Sequence, residues 1–222
     1  MSLIVKICGL STPEALDVAL EEGADMVGFV FFPPSPRHLS LDKGRSLGAH
    51  VRGRAQKVVL TVDADNAYMA AVIEAVRPDM LQLHGVESID RVEALRQSFG
   101  LPVMKALPVA VSGDLDRVPC YAAAANRLLF DARAPREATR PGGLGKAFDW
   151  RLLESLDPGV PFMLSGGLDA GNVAEALRIT RAPGVDVSSG VERAPGEKDH
   201  DKIRAFIRAA REAAAEAIDH VA

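Results

Sequence analysis

The chain has 222 residues, 48% of them hydrophobic and 25% charged. That balance excludes intrinsic disorder as the main state, because there is apolar material enough for a core. With 26 basic against 30 acidic residues the net charge is −4, so there is no basic surplus to neutralise a phosphate backbone, and nucleic acid is set aside as a partner.

Two cysteines, Cys8 and Cys120, are too few for a disulfide framework, and a reducing, cytoplasmic setting is expected. The opening apolar run is broken by Lys6 and lacks the core of a secretory signal. The most apolar stretch, 24–32, contains Asp25 and ends at Pro33-Pro34, far short of the roughly 20 residues that span a bilayer. No membrane association is expected.

Short β-branched runs alternate with amphipathic, Ala-rich segments. Strands are predicted at 3–8, 26–31, 57–62, 80–83, 103–105, 127–131, 162–164 and 185–187. Several are apolar almost throughout, as in strands buried on both faces. Thr12-Pro13-Glu14 opens the first helix with a cap, a proline at the first helical position and an early acid, and Gly23 stops it. Asp65 caps a helix running through Val76, a third covers 87–99, Asp169 starts one through Ile179, and Asp199 starts the last. Strand ends recur roughly every 26 residues, one βα unit, and eight units fit a compact (β/α)8 barrel. A doubly wound open sheet is the alternative; the unit count favours the barrel. No linker divides the chain, so one domain over 1–222 is expected. The longest irregular stretch, 132–147, is rich in Pro, Gly and basic residues, a composition that suits a functional loop.

In a barrel of this kind the site lies at the C-terminal strand ends. The polar residues there are Lys6 and Cys8, Arg37, Gln82 and His84, Lys105, Asp131, Ser165-Gly166-Gly167, and Asp186 with Ser188-Ser189-Gly190. The Gly-rich turns after strands seven and eight suit a phosphate, since backbone N–H groups approach an anion where no Cβ intervenes; the alternative is that these glycines only make tight turns. Arg37, on a proline-stiffened loop, suits bidentate capture of a carboxylate or is a solvated surface residue. Cys8 and Asp131 sit where a thiolate and a carboxylic acid can face one substrate as base and acid, although a strand Cys is commonly a small buried hydrophobe. Cys120, in an Ala-rich segment, is expected to pack. His84 either contacts ligand or fills the barrel top. The acidic residues show no metal-ligand spacing, so no metal is expected.

Taken in order, Lys6-Ile7-Cys8-Gly9, Gly23-Ala24-Asp25 with Gly28-Phe29, Ser35-Pro36-Arg37, Gln82-Leu83-His84-Gly85, Leu129-Phe130-Asp131, Gly142-Gly143-Leu144-Gly145-Lys146 with Phe148-Asp149-Trp150, Ser165-Gly166-Gly167-Leu168 and the run from Gly184 to Glu192 resemble the phosphoribosylanthranilate isomerase family of tryptophan biosynthesis across nearly the whole chain. Two departures stand out. The third strand ends Leu60-Thr61-Val62-Asp63-Ala64-Asp65 where the family usually has a Gly-Val-Phe-Val-Asn-like segment, and Leu144 stands where a Thr is usual. The resemblance implies a cofactor-free Amadori rearrangement of a phosphorylated aminosugar. Asp131 is then the acid and Cys8 the base. Arg37 holds the carboxylate of the substrate, and Gly143, Gly145, Gly166, Gly167, Ser188, Ser189 and Gly190 hold its phosphate. Lys6, His84 and Asp186 lie nearby. A histidine-pathway aldose–ketose isomerase is the first rival, and it uses two aspartates where this chain ends strand one in Cys8. A non-catalytic phosphate-binding barrel is the second. The chain is expected to act as a monomer or homodimer.

Overall fold

The computed structural model describes residues 3–135, 138, 141–143, 145 and 147–219. Eight parallel strands close into a barrel in chain order: β1 (Ile4–Cys8), β2 (Met26–Phe31), β3 (Gln56–Thr61), β4 (Met80–Leu83), β5 (Val103–Val109), β6 (Arg127–Ala132), β7 (Phe162–Leu164) and β8 (Gly184–Val187). Closure runs through β1 and β8, with Lys6 opposite Asp186. Seven α-helices are described: α1 (Pro13–Glu21), α2 (Leu41–Val51), α3 (Asn66–Val76), α4 (Ile89–Phe99), α5 (Val118–Ala124), α6 (Val173–Thr180) and α7 (His200–Asp219). Between β6 and β7 stands a 3-10 turn, Trp150–Leu153. A small antiparallel hairpin, β9 (Glu192–Ala194) and β10 (Glu197–Lys198), follows β8. No described helix is long and apolar enough to cross a membrane.

Strand alternation divides the core in two. Residues such as Val5, Ile7, Phe29, Leu81 and Phe130 face the helices and form the larger cluster. Met26, Val58, Met80, Met104, Leu129 and Met163 fill the barrel interior. Unbranched methionines suit an axis where residues from several strands must interlock. Above this apolar plug the same inward rows turn polar: Ile4-Lys6-Cys8 on β1, Met80-Gln82-His84 from β4, Leu129-Asp131 on β6 and Asp186-Ser188 from β8. The alternation thus raises the chemistry to the C-terminal mouth.

The helix caps follow the sequence at Thr12, whose hydroxyl accepts from the Ala15 amide at 3.2 Å, and at Asp65, which accepts from Tyr68 at 2.8 Å. Elsewhere the structure corrects the expectation. Asp169 does not start α6. Its carboxylate accepts from the Gly171 and Asn172 amides, a local turn that competes with the helix, and α6 begins four residues later. The fourth helix begins at Ile89 behind a Ser88 cap, because Glu87 turns inward to Lys105. Strand β5 runs to Val109 despite Pro108. Its β4 neighbour ends opposite Lys105, so the Pro108 position has no ladder partner to lose on that side. Helix α2 has no counterpart among the predicted helices. Its Gly44 and Gly48 weaken the helical signal, and both are packing residues: a Cβ on Gly48 would lie 2.9 Å from the Val76 carbonyl oxygen, and one on Gly44 would meet the Phe31 ring. Cys120 is exposed on α5 and does not pack.

The last helix secures the first strand. The Arg211 guanidinium donates to the Leu3 and Gly23 carbonyl oxygens and pairs with Asp25 at 2.8 Å.

Candidate active site

A cleft opens at the barrel mouth. Cys8, Arg37, His84, Asp131, Gly143, Gly166, Gly167, Asp186, Ser188 and Ser189 all line it. Three of the residues predicted for the site do not. Lys6 lies one layer below, fully buried, with Nζ 2.8 Å from Asp186 Oδ1. Gly190 abuts the Leu168 carbonyl, so its missing side chain serves the contact between the β7 and β8 loops. Gly145 sits over Ser189: a Cβ there would be 3.8 Å from the Ser189 hydroxyl. Leu144 and Lys146 of that loop lie outside the described residues, and the 132–147 stretch is described only in part.

Cys8 ends β1 and faces Gly28 of β2. A Cβ on Gly28 would come 2.8 Å from Cys8 Sγ, so the thiol occupies space that a side chain would take. Burial pushes the thiol up from its ordinary value. Lys6 and Lys198 pull it down, and Asp186 adds to the rise. Lys6 is the converse case. Burial works to strip its proton, but Asp186 and then Cys8 outweigh that, and the ammonium is held above the ordinary lysine value.

Asp131 ends β6. Its Oδ2 lies 3.0 Å from His84 Nε2, and His84 Nδ1 lies 3.0 Å from Gln82 Nε2. Oδ1 accepts from the Ala132 amide at 2.9 Å. Gln82 Oε1 has no partner among the described residues. Gly142 and Gly166 close over Asp131 from two sides.

The loop that carries His84 is strapped from outside the barrel. The Gly85 amide donates to Glu87, Glu87 pairs with Lys105 at 2.7 Å, and Lys105 Nζ also reaches the Gly85 carbonyl. Lys105 therefore points toward the helices rather than into the mouth, a correction to its place among the strand-end polar residues. The atypical third-strand segment joins this strap. Asp63, in the left-handed region at φ 48°, donates its amide to Glu87 Oε1 and accepts from the Val86 amide.

On the other rim, Arg37 is 4% exposed and does not extend into solvent. Its Nε and Nη2 donate to Glu192 Oε1 and Oε2 at 2.6 and 2.8 Å, a bidentate pair, and Nη2 reaches the Gly143 carbonyl at 3.3 Å. Lys198 Nζ donates to Glu192 Oε1 at 2.9 Å and to the Ser188 carbonyl at 2.8 Å. Sequence reasoning assigned no role to Glu192 or Lys198. The signal was there: Pro195-Gly196 between two short charged runs marks a hairpin that returns Lys198 to Glu192. Across β7 and β8, Gly166 and Gly167 take φ of 84° and 69°, and Asn172 holds the Gly167 carbonyl at 2.9 Å.

The family model for N-(5'-phosphoribosyl)anthranilate isomerase matches residues 5–209. The chain belongs to this family. An N-(5'-phosphoribosyl)anthranilate isomerase of Nitrobacter hamburgensis is 68% identical over 213 residues, covering 96% of this chain and 95% of the relative. The crystal structure of phosphoribosyl anthranilate isomerase from Thermotoga maritima superposes with a TM-score of 0.85 at 36% identity, covering 95% of this chain and 99% of the other. A family structure in complex with reduced 1-(o-carboxyphenylamino)-1-deoxyribulose 5-phosphate gives 0.82 at 34% identity, again over 95% and 99%. The family match runs from within β1 to the middle of α7 and so includes every strand that carries the cleft.

Proposed function

We propose that this chain converts N-(5'-phosphoribosyl)anthranilate to 1-(2-carboxyphenylamino)-1-deoxyribulose 5-phosphate, with Cys8 and Asp131 as base and acid. The observation that carries the assignment of roles is that a thiol and a carboxyl group from β1 and β6 line one cleft, together with Arg37 and the glycine-bearing turns after β7 and β8. Protonated Asp131 delivers its proton to the furanose ring oxygen, and the ring opens to a Schiff base. Cys8 as thiolate takes the proton from C2', giving an enolamine that tautomerises to the ketone. Only protons move, and the chain's own groups suffice for that.

The Gln82–His84–Asp131 row supports both states of the acid. With Asp131 ionised, His84 Nε2–H donates to it and the Gln82 amide donates to Nδ1. With Asp131 protonated, it donates to Nε2, Nδ1 carries the hydrogen, and rotation of the Gln82 amide presents Oε1 as acceptor. Arg37 takes the anthranilate carboxylate. The turns at Gly166-Gly167 and Ser188-Ser189, with Gly143, Gly145 and Gly190 shaping the rim, take the phosphate, a place these barrels commonly use. Asp186, held by Lys6, faces the ribose hydroxyls. A working thiol at Cys8 fits a reducing cytoplasm.

The test is turnover of N-(5'-phosphoribosyl)anthranilate, followed as loss of its fluorescence. Turnover supports the reading. Binding of the substrate without conversion makes the chain a binding protein instead.

A further inference from the structure

The rim beside Arg37 holds three charged side chains and one carboxylate too few. Arg37, Glu192 and Lys198 are all buried, and Glu192 is shared by both cations. Lys198 has three acceptors within reach: Glu192 Oε1, the Ser188 carbonyl and, at 3.4 Å, the Ser188 hydroxyl. Its three hydrogens are therefore occupied. Arg37 uses Nε and Nη2 on Glu192. Its Nη1 points to where a Cβ on Gly143 would lie, 2.6 Å away, and has no protein acceptor among the described residues.

The neighbouring charges do not cancel the surplus. Lys6 and Asp186 neutralise each other. Arg193 and Glu197 form an exposed pair. Lys202 is exposed and reaches only the Glu192 backbone carbonyl. The hairpin that supplies Glu192 and Lys198 docks on the Arg37 loop itself: the Gly196 amide donates to Glu192 Oε2, and a Cβ on Gly196 would lie 2.5 Å from the Pro36 carbonyl oxygen.

An isolated Arg–Glu pair is neutral overall and has little reason to take a second anion. Adding a buried lysine to the same carboxylate restores one net positive charge in a low-dielectric wall, where such a charge is costly until an anion arrives. We propose that Glu192 and Lys198 are positioning residues for Arg37, Glu192 aiming the guanidinium and Lys198 keeping the trio cationic so that Arg37 selects a carboxylate-bearing substrate. The inference rests on the reading of Arg37 as the carboxylate site. Titration bears on the two partners differently: burial, with Arg37 beside it, pulls the Lys198 ammonium below the ordinary lysine value against the opposing pull of Glu192 and Cys8, which is the cost an arriving anion would relieve. Burial alone would push the Glu192 carboxyl up, but Arg37 and Lys198 outweigh it and hold it below the ordinary glutamate value, so it stays ionised beside both cations.

The experiment compares two ligands, reduced 1-(o-carboxyphenylamino)-1-deoxyribulose 5-phosphate and the phenylamino analogue that lacks the carboxylate. Lys198→Met should weaken the first about tenfold and leave the second within about twofold. The double variant Glu192→Gln/Lys198→Met removes one charge of each sign, restores the surplus, and should recover most of the lost preference. Because Lys198 also draws the Cys8 thiol down, turnover of both variants is compared on the alkaline plateau of the rate, where the thiol is ionised and the change should appear in KM more than in kcat. Equal weakening of both ligands by Lys198→Met, or no recovery in the double variant, overturns the proposal. If Lys198→Met does not fold, the double variant alone decides: it keeps the carboxylate preference if the surplus is what matters and loses it otherwise. The reading of Arg37 is tested apart, by Arg37→Gln. Weakening confined to the carboxylate ligand upholds that reading whatever Lys198 does, and equal weakening of both removes it.

Discussion

His84 and Asp131 are joined across the barrel mouth by a 3.0 Å contact from Nε2 to Oδ2, and the far side of the imidazole is held by Gln82. The Asp131 carboxyl group, proposed as the acid, is thus fixed in direction. A fixed proton donor acts on one atom of a bound sugar, and its removal falls on the chemical step.

Asp131→Asn should therefore lower kcat by about 10²–10⁴-fold with little change in affinity for the product analogue. His84→Asn should lower kcat by about tenfold with KM nearly unchanged, since it orients the acid rather than transferring the proton. Steady-state kinetics separate the two. A His84 variant that raises KM and keeps kcat would make His84 a binding residue.

Cys8→Ala should cost a comparable 10²–10⁴-fold; normal turnover in that variant removes the base assignment. The pH dependence follows from the burial of the thiol. A raised value means that the proton is still held at neutral pH, so kcat/KM should climb as pH rises through 7 and beyond about 8.5, the ordinary thiol value. Lys6→Met takes away the larger of the two lysine pulls and should move that limb to still higher pH. A flat profile from about pH 7 to 9 would mean that ionisation of Cys8 does not limit the rate.

The same Lys6 variant leaves Asp186 buried without its ion-pair partner. It should destabilise the barrel by about 3–5 kcal/mol, read by denaturant unfolding. In the native chain the folded-state lysine value is raised. Its contribution to stability is therefore complete below the unfolded value of about 10.4 and is lost as pH rises through the folded one. An alkaline loss of stability that persists unchanged in Lys6→Met would have another origin.

Gly28→Ala probes the seat of the thiol. The new methyl group would lie 2.8 Å from Cys8 Sγ and 3.0 Å from its Cα, and the second contact is with backbone. The expected cost is about 1–3 kcal/mol of stability, with kcat reduced because Sγ is displaced. An alanine variant of native rate and stability would show that β1 and β2 yield to it freely.

The barrel was legible because its buried strands are apolar runs at regular spacing, and Cys8, Arg37 and Asp131 were legible as cleft residues because two stand at strand ends and one on a proline-stiffened loop in an ordered set of motifs. The partnerships were not. Nothing in the spacing of Arg37 and Glu192, 155 residues apart, says that they form a bidentate pair. Lys105 read as a mouth residue because its strand was expected to stop there. The structure continues β5 to Val109, and alternation then turns Lys105 to the outer layer. Helix α2 stayed hidden because Gly44 and Gly48 answer to Phe31 and Val76, neighbours that only the fold supplies.

Closure through β1 and β8 has a consequence for biosynthesis. β1 leaves the ribosome first and β8 last of the barrel strands, so one edge of β1 stays bare while the six strands between them are made. A product shortened ahead of Gly184 would keep that adhesive edge permanently.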